Sequence, residues 1–588
     1  MSSTQSNKHS KQLQGSPASR LSQLTEQGLW TNQTLHGLLA ASVAANPAAL
    51  AVADQSNKGD LTGTNALRLT YAQLDIASDN LALTLLANNI GHGDIVLVQL
   101  PNSVELVACY FAASKIGAVI SPIPVQYSRH ELSTIQSAVQ PALGISCSNL
   151  SGNNLASQMD ECISANIIAF GNGAGDSQLD LNHNSKAACI ITQHQYAIDS
   201  ESHNGSDENF DSKIDGNTVI TLCWTSGTTG TPKGVPRTHN MWVATSNVII
   251  ESAKLQSGDT LLNPFPLVNM AAIAGFLYPC AQLGLTLTLH HPVDIPVFLS
   301  QLENEKINFT IIPPALLNQL AKKPEMWNQL DFSNLRCIGS GSAPLSPWMI
   351  ETFKTEYGKD IINFYGSNEG ISLINTADVT DDSDIRATMF PRFGAANTPW
   401  QGTCHQLVRS KVTDTETGNE ILEPGKPGEL MFAGATIFDG YFDPDQTIDN
   451  STVFDSDGYF HTGDLVEICT EAPNFYRIVG RCKDIINRGG MKISPTEIDI
   501  LLEGFSGLAE AAVCAYADET MGEKICACLV LAPNSPSPTI ETLADYLLGQ
   551  GLAKFKLPEK IQLLTQLPRN PMGKVLRGEL EHIVKNAS

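Results

Sequence analysis

Val219-Ile220-Thr221-Leu222-Cys223-Trp224 runs directly into Thr225-Ser226-Gly227-Thr228-Thr229-Gly230-Thr231-Pro232-Lys233-Gly234. The first six residues form an apolar, β-prone run that predicts a buried strand. The next ten form a loop of glycines and hydroxyls ending on a lysine. Gly227, Gly230 and Gly234 permit close backbone approach. Ser226, Thr228, Thr229 and Thr231 bring hydroxyl donors, and Lys233 brings a point charge, so the loop suits phosphate oxygens. The spacing is not the Walker pattern, which argues against a P-loop nucleotidase.

Outward from this loop, the chain alternates helix and strand signals. Thr70 to Asn89 has helical periodicity, Asp94 to Leu100 is a short apolar strand run ending before Pro101, and Leu106 to Ile116 is helical again. That order predicts an α/β fold with a largely parallel sheet. Residues 145–216 are polar, with apolar pieces at Ile167–Phe170 and Ala187–Thr192 and an acidic loop near Ser200–Asp215. From about Cys482 the pattern becomes that of a small α+β unit, with helices near 495–504 and 540–550 and strands near 511–516 and 525–531. The expected domains are a mobile tail over 1–30, a large domain over 31–482 and a small one over 483–588.

With Lys plus Arg 36 and Asp plus Glu 60, the net charge of −24 disfavours nucleic acid or an anionic membrane as the main partner. The N-terminal residues lack an apolar segment of the secretory kind. The longest apolar stretch, Leu106 to Val125, is interrupted by Lys115, Gly117, Pro122 and Pro124, so no membrane span is expected. The cysteines lie scattered in apolar runs, as buried thiols of a reducing cytoplasm do. Cys526 and Cys528 share one strand face but have no second ligand pair for a metal.

Further motifs follow in order: Gly339-Ser340-Gly341-Ser342-Ala343-Pro344, Tyr365-Gly366-Ser367-Asn368-Glu369-Gly370, Thr462-Gly463-Asp464, Gly480-Arg481-Cys482-Lys483-Asp484 with Gly489-Gly490, and Pro568-Arg569-Asn570-Pro571-Met572-Gly573-Lys574. From about residue 35 to 580 the sequence resembles the adenylate-forming superfamily of acyl-CoA synthetases, aryl-acid ligases, luciferases and peptide-synthetase adenylation domains. The resemblance implies a large layered α/β domain with a mobile C-terminal lid. It implies that ATP is held by Thr225 to Gly230, Lys233, Gly341 to Pro344, Tyr365 to Asn368, Asp464, Ile478 and Arg481, with Tyr365 on adenine and Asp464 on the ribose hydroxyls. Asn368 stands where the family has Thr and also donates a hydrogen bond. The catalytic set implied is Lys574, Glu369, Thr225 and Arg481, with Glu369 on Mg²⁺ and Lys574 neutralising the carboxylate and α-phosphate.

Lys483 is the implied hinge, and Gly489 and Gly490 the thiol passage. Asn269, Met270, Ala274, Gly339 and Gly341 are the implied acid pocket. No carboxylate stands near Asn269 to pair an ammonium group, which disfavours an amino-acid substrate. The expectation is adenylation of a medium- or long-chain fatty acid and transfer to coenzyme A, by a monomer or homodimer. Alternatives are an aryl acid, the phosphopantetheine of a separate acyl carrier protein, a luciferase-like oxygenase or a non-catalytic nucleotide-binding protein.

Overall fold

The predicted strand is Val219–Thr225, set in a seven-stranded sheet. Its order is Cys189–Thr192, Asn166–Gly171, Leu143–Cys147, Ile95–Gln99, Val119–Pro122, Val219–Thr225 and Lys233–Thr238. Only the last pair is antiparallel. Strands covered on both faces read as unbroken apolar runs, and all five residues of Ile95–Gln99 are buried. The structure is a computed structural model. It describes residues 13–171, 189–192, 213–225, 233–327, 330–341, 344–396, 398–443, 449–489, 491–518, 520–569 and 575–587.

The helix Tyr71–Ala87 begins where its sequence predicts. The Thr70 side chain accepts from the Gln73 amide, and Gln73 returns a bond to the Thr70 amide, which satisfies two first-turn donors. The helix Val104–Ile116 is buried along its whole length, so its charges require partners. Lys58 Nζ lies 2.7 Å from both Asp54 and Glu105. Lys115 Nζ lies 2.6 Å from Asp75 and Asp79.

An eight-stranded sheet runs Ser372–Asn375, Asp360–Gly366, Cys337–Gly341, Phe309–Ile311, Thr260–Asn263, Thr286–Leu289, Leu50–Ala53 and Arg68–Thr70. Its six inner strands are parallel and its two outer ones antiparallel. Two candidate motifs therefore leave the carboxyl ends of adjacent strands, where open α/β sheets place their ligands.

These two sheets belong to one compact unit, residues 1–387, 396–409 and 433–458. The other unit comprises 388–395, 410–432 and 459–588. It holds a five-stranded sheet including Phe460–Ile468 and Phe475–Arg481, and a second sheet built on the long pair Leu508–Asp518 and Gly522–Leu531. The helices Pro495–Leu502 and Ile540–Gly549 pack on the second sheet through Ile498, Leu502, Leu543 and Leu547. The sequence boundary at 482/483 thus falls inside this unit. The composition shift there marks a passage from one sheet to the next, not an edge of packing.

The tail expectation is corrected for residues 13–30. They carry the helix Ala18–Glu26, and Trp30 is 1% exposed. Polar composition concealed a segment held by side-chain hydrogen bonds and by the buried Leu13, Leu24 and Trp30. The acidic stretch 200–212 lies outside the described residues. Cys514, Cys526 and Cys528 are buried together, with 3.9 Å between the sulfurs of Cys514 and Cys528. Among the described residues no helix is long and apolar enough to cross a membrane.

Candidate active site

Thr225 and Lys233 are direct partners across an antiparallel pair, closing the Gly/Thr loop at its base. Ser226, Gly227, Thr228, Thr229 and Gly230 lie outside the described residues, as do Thr231 and Pro232. Lys233 Nζ stands 4.7 Å from the Tyr441 ring centroid, a cation–π contact of about 0.5–2 kcal/mol. The Phe442 amide donates to the Gly234 carbonyl at 2.9 Å.

The second motif leaves the strand Asp360–Gly366 in a tight turn. The Gly370 amide donates to the Ser367 carbonyl at 3.0 Å. Gly370 has φ +106°, and a Cβ there would lie 1.9 Å from the Thr436 carbonyl oxygen, so only glycine fits. Glu369 is 7% exposed. Its Oε1 accepts from the Tyr441 hydroxyl at 2.8 Å, and its backbone carbonyl accepts from the Phe438 amide at 2.9 Å. Asn368 spans two elements: Nδ2 donates to the Trp224 carbonyl at 3.1 Å, and Oδ1 accepts from the Met270 amide at 2.9 Å. This amide thus joins the strand feeding the Gly/Thr loop to the start of the candidate acid-pocket helix.

Arg237, fully buried, braces the turn from behind. Nη1 donates to the Asn368 carbonyl at 2.9 Å, and Nη2 to the Thr436 carbonyl at 2.8 Å, the Met241 carbonyl at 3.1 Å and Thr245 Oγ1 at 2.8 Å. Its guanidinium lies 4.3 Å from the Trp242 ring centroid. Burial pulls its pKa down to about 10, against the nearby Cys223 and Glu369, so it stays charged at neutral pH.

The pocket candidates divide. Asn269 caps the helix Met270–Ala272, its Oδ1 accepting from the Ala272 amide at 3.3 Å. A Cβ at Gly366 would meet Met270 Cε at 2.3 Å, so Met270 lies across that glycine. The chain then makes a π-helical turn, Ile273–Leu277. Ala274 is 1% exposed, Gly339 is buried and Gly341 half-buried. Phe276 stacks on Phe309 with centroids 5.9 Å apart. Beyond Met270 the segment is a core helix, and Ala274 packs inside it. Pro344 is exposed, while Ser342 and Ala343 lie outside the described residues.

In the other unit, Asp464 and Arg481 are register partners. Arg481 Nε lies 2.8 Å from Asp464 Oδ1. The turn is fixed by Gly463, whose amide donates to Glu429 Oε1 and whose carbonyl accepts from the Cys482 amide, both at 2.9 Å. Ile478 faces Val466 across the same pair. Burial pushes the Cys482 thiol up to about 12, with Glu429 and Asp464 adding to the effect. Lys483 is exposed in the turn before the strand Ile486–Arg488. Gly489 has φ +59°; Gly490 and Lys574 lie outside the described residues. The residues flanking Asn570–Lys574 are tied by an Arg569–Val575 bridge, and the Leu576 amide donates to the Pro568 carbonyl at 2.9 Å.

A sequence model of the AMP-binding enzyme family matches residues 39–442, and one of the AMP-binding enzyme C-terminal domain matches 497–574. The chain belongs to the AMP-binding enzyme family. This is a family of acid–thiol ligases, and the chain is an enzyme of that kind. It is 29% identical to enterobactin synthase component E of Escherichia coli over 94% of this chain and 95% of that protein. It is 27% identical to the medium-chain fatty-acid–CoA ligase of the same organism, over 94% and 90%. In fold it matches ATP-bound MatB from Rhodopseudomonas palustris, with TM-score 0.74, 24% identity and coverage of 94% and 100%.

In this AMP-binding enzyme the structure brings Thr225, Lys233, Asn368, Glu369 and Met270 together through Trp224 and Tyr441. It pairs Asp464 with Arg481 separately. Sequence reasoning missed Arg237 and Tyr441. Arg237 stands three residues beyond Gly234, where the opening stretch ends, and an arginine alternating into a buried strand was the available signal. For Tyr441, flanking Gly434 and Gly440 mark only a loop.

Proposed function

We propose that this AMP-binding enzyme activates a medium- or long-chain aliphatic carboxylic acid as its acyl-adenylate and passes the acyl group to the thiol of coenzyme A. A carboxylate oxygen of the acid attacks the α-phosphorus of ATP. The bond from that phosphorus to the bridging oxygen of the β-phosphate breaks, and pyrophosphate leaves. The thiol sulfur then attacks the acyl carbon, the thiol proton is lost and AMP leaves. The observation that carries the reading is the meeting of Lys233, Asn368 and Glu369 at the base of the Gly/Thr loop.

Lys233 and the loop hydroxyls would hold the phosphates. Tyr365, at the end of its strand, would face the adenine, with Gly341 to Pro344 lining the opposite side. Asp464 would accept from the ribose hydroxyls while Arg481 orients it, with Ile478 beside the base. Lys574 would neutralise charge as pyrophosphate departs. Lys483 is the proposed pivot between the two half-reactions, and Gly489 and Gly490 the path for the thiol. Among the described residues no cluster of three or more His, Cys, Asp or Glu side chains could hold a metal. A near-buried carboxylate oriented by a tyrosine hydroxyl suits instead a magnesium ion carried in on the triphosphate. Glu369 would hold that ion, which supplies charge neutralisation on the phosphate oxygens.

An aliphatic acid is supported by the apolar Met270 side chain lying across Gly366 and by the lack of a carboxylate beside Asn269 in the sequence. A second reading is favoured by the likeness to a synthase component: the thiol would be the phosphopantetheine of a separate carrier protein. Pyrophosphate release over graded aliphatic and aryl acids, with coenzyme A or a carrier, tests both. Lys574→Ala should lower adenylation by about 10²–10³ yet leave thioester formation from supplied acyl-AMP intact. Equal loss in both steps would remove the assigned role.

A further inference from the structure

Residues 434–438 form an irregular loop in which five consecutive carbonyls are each taken by a side chain. Arg20 Nη2 donates to the Gly434 carbonyl at 2.9 Å and also to the Ile437 carbonyl, and Nη1 donates to the Phe438 carbonyl at 3.3 Å. Trp30 Nε1 donates to the Ala435 carbonyl at 3.0 Å. Arg237 takes the Thr436 carbonyl. Arg20 is also paired with Asp439, lies 5.2 Å from the Trp30 ring centroid, and Ser16 Oγ donates to the same aspartate. The N-terminal segment is anchored at two further points. The Ser16 amide donates to Asn217 Oδ1 at 2.9 Å, and the Gly216 amide to Asn32 Oδ1 at 2.8 Å. Gly216 and Asn217 lead directly into the strand Val219–Thr225.

Backbone carbonyls outside regular structure must find donors. Here four of the five carbonyls find them in one segment over 400 positions away, and the fifth finds Arg237. The loop so shaped contributes the two groups that hold Glu369: the Phe438 amide on its carbonyl and, through the same run of chain, the Tyr441 hydroxyl on its carboxylate. We propose that residues 13–30 act as a positioning strap for Glu369, with Arg20 and Trp30 as the positioning residues. The inference rests on the reading of Glu369 as a site carboxylate. The strap gives the N-terminal segment a part in the adenylation step beyond folding. Displacement of a site group by about 1 Å is enough to cost about 10²-fold in rate, and an unbraced loop permits such displacement.

The test uses the full-length chain with Arg20→Gln, and Trp30→Phe as a milder variant that keeps an aromatic ring while removing the Nε1 donor and part of the indole. Hydrogen exchange is followed in peptides covering 434–441 and 366–371, and pyrophosphate release is titrated with Mg²⁺. Arg20→Gln should speed exchange in both peptides, lower kcat for adenylation at least about tenfold and raise the Mg²⁺ concentration for half-maximal rate, with KM for the acid unchanged. Trp30→Phe should move each readout the same way by less, and it decides the matter if Arg20→Gln does not fold. Faster exchange confined to 434–441, with rate and Mg²⁺ dependence unaltered, would make the strap merely structural and overturn the proposal. Unchanged exchange would overturn it too. If the wild-type chain releases no pyrophosphate with any acid, the reading of Glu369 fails, while the exchange of 366–371 still decides whether the strap sets that turn.

Discussion

Glu369 in the first unit and Asp464 in the second are both candidate site carboxylates, and each unit places its own by a different means. Asp464 sits in a β-ladder opposite Arg481, so backbone pairing within seventeen residues fixes both side chains. Glu369 sits on an irregular turn and owes its position to Phe438, Tyr441 and the buried Arg237 that braces Asn368 and Thr436. A ladder places its own side chains. A turn outside any ladder needs donors brought from elsewhere in the chain, and each of them is a separate point of failure.

The contrast breaks most severely at Arg237. Arg237→Met would strip the side-chain donor from the Asn368 and Thr436 carbonyls, and each orphaned acceptor costs about 1–3 kcal/mol. A loss of at least about 2 kcal/mol in denaturant-induced unfolding is expected. A loss below about 1 kcal/mol would show that the turn does not need its brace. Gly370→Ala comes next. The φ of +106° and the contact with Thr436 set a strain of about 1–3 kcal/mol, and adenylation should fall by tenfold or more. A wild-type rate would mean that Glu369 finds its place without the turn.

Asp464→Asn sharpens the other side. The ladder remains, so stability should change by less than about 1 kcal/mol, while KM for ATP rises by about tenfold as a charged hydrogen bond to the ribose is lost. A large loss of stability instead would make the Asp464–Arg481 pair a structural brace like Arg237.

A separate effect is that of acid on the first unit. Burial holds His239 down to about 3, and burial with Lys115 holds His36 down to about 4. Both lie below the usual 6.5 of an unfolded histidine, so the stability they carry is complete above pH 6.5. It is lost as pH falls toward 4 and then 3, as the unfolded chain takes up protons first. The unfolding midpoint should decline over that range, and His239→Gln should flatten the decline. An unaltered slope would assign acid sensitivity to other groups.

What the sequence made legible follows the same division. The strand Val219–Thr225 and the capped helix Tyr71–Ala87 are set by near neighbours, through an apolar run and Thr70 with Gln73. Arg20, Trp30, Arg237 and Tyr441 act on carbonyls or carboxylates far off in the chain, and no periodicity announces such a bond. Ser- and Gln-rich composition made residues 13–30 look unattached because their few buried apolar side chains and their long-range hydrogen bonds leave no periodic pattern. The segment expected to line an acid pocket is local in sequence, but its facing is not. Asn269 and Met270 meet the site through Asn368, while Ala274 turns into the core.

The turn Ile273–Leu277 holds one more residue than an α-helical turn does, as an insertion into a helix leaves behind. Removing a single residue there would wind Met270 and Asn269 by roughly 100° relative to the helix that follows, with the strands beneath unmoved. Among descendants of this chain, one codon lost or gained there would re-aim the proposed pocket residues Asn269 and Met270 without any substitution in them.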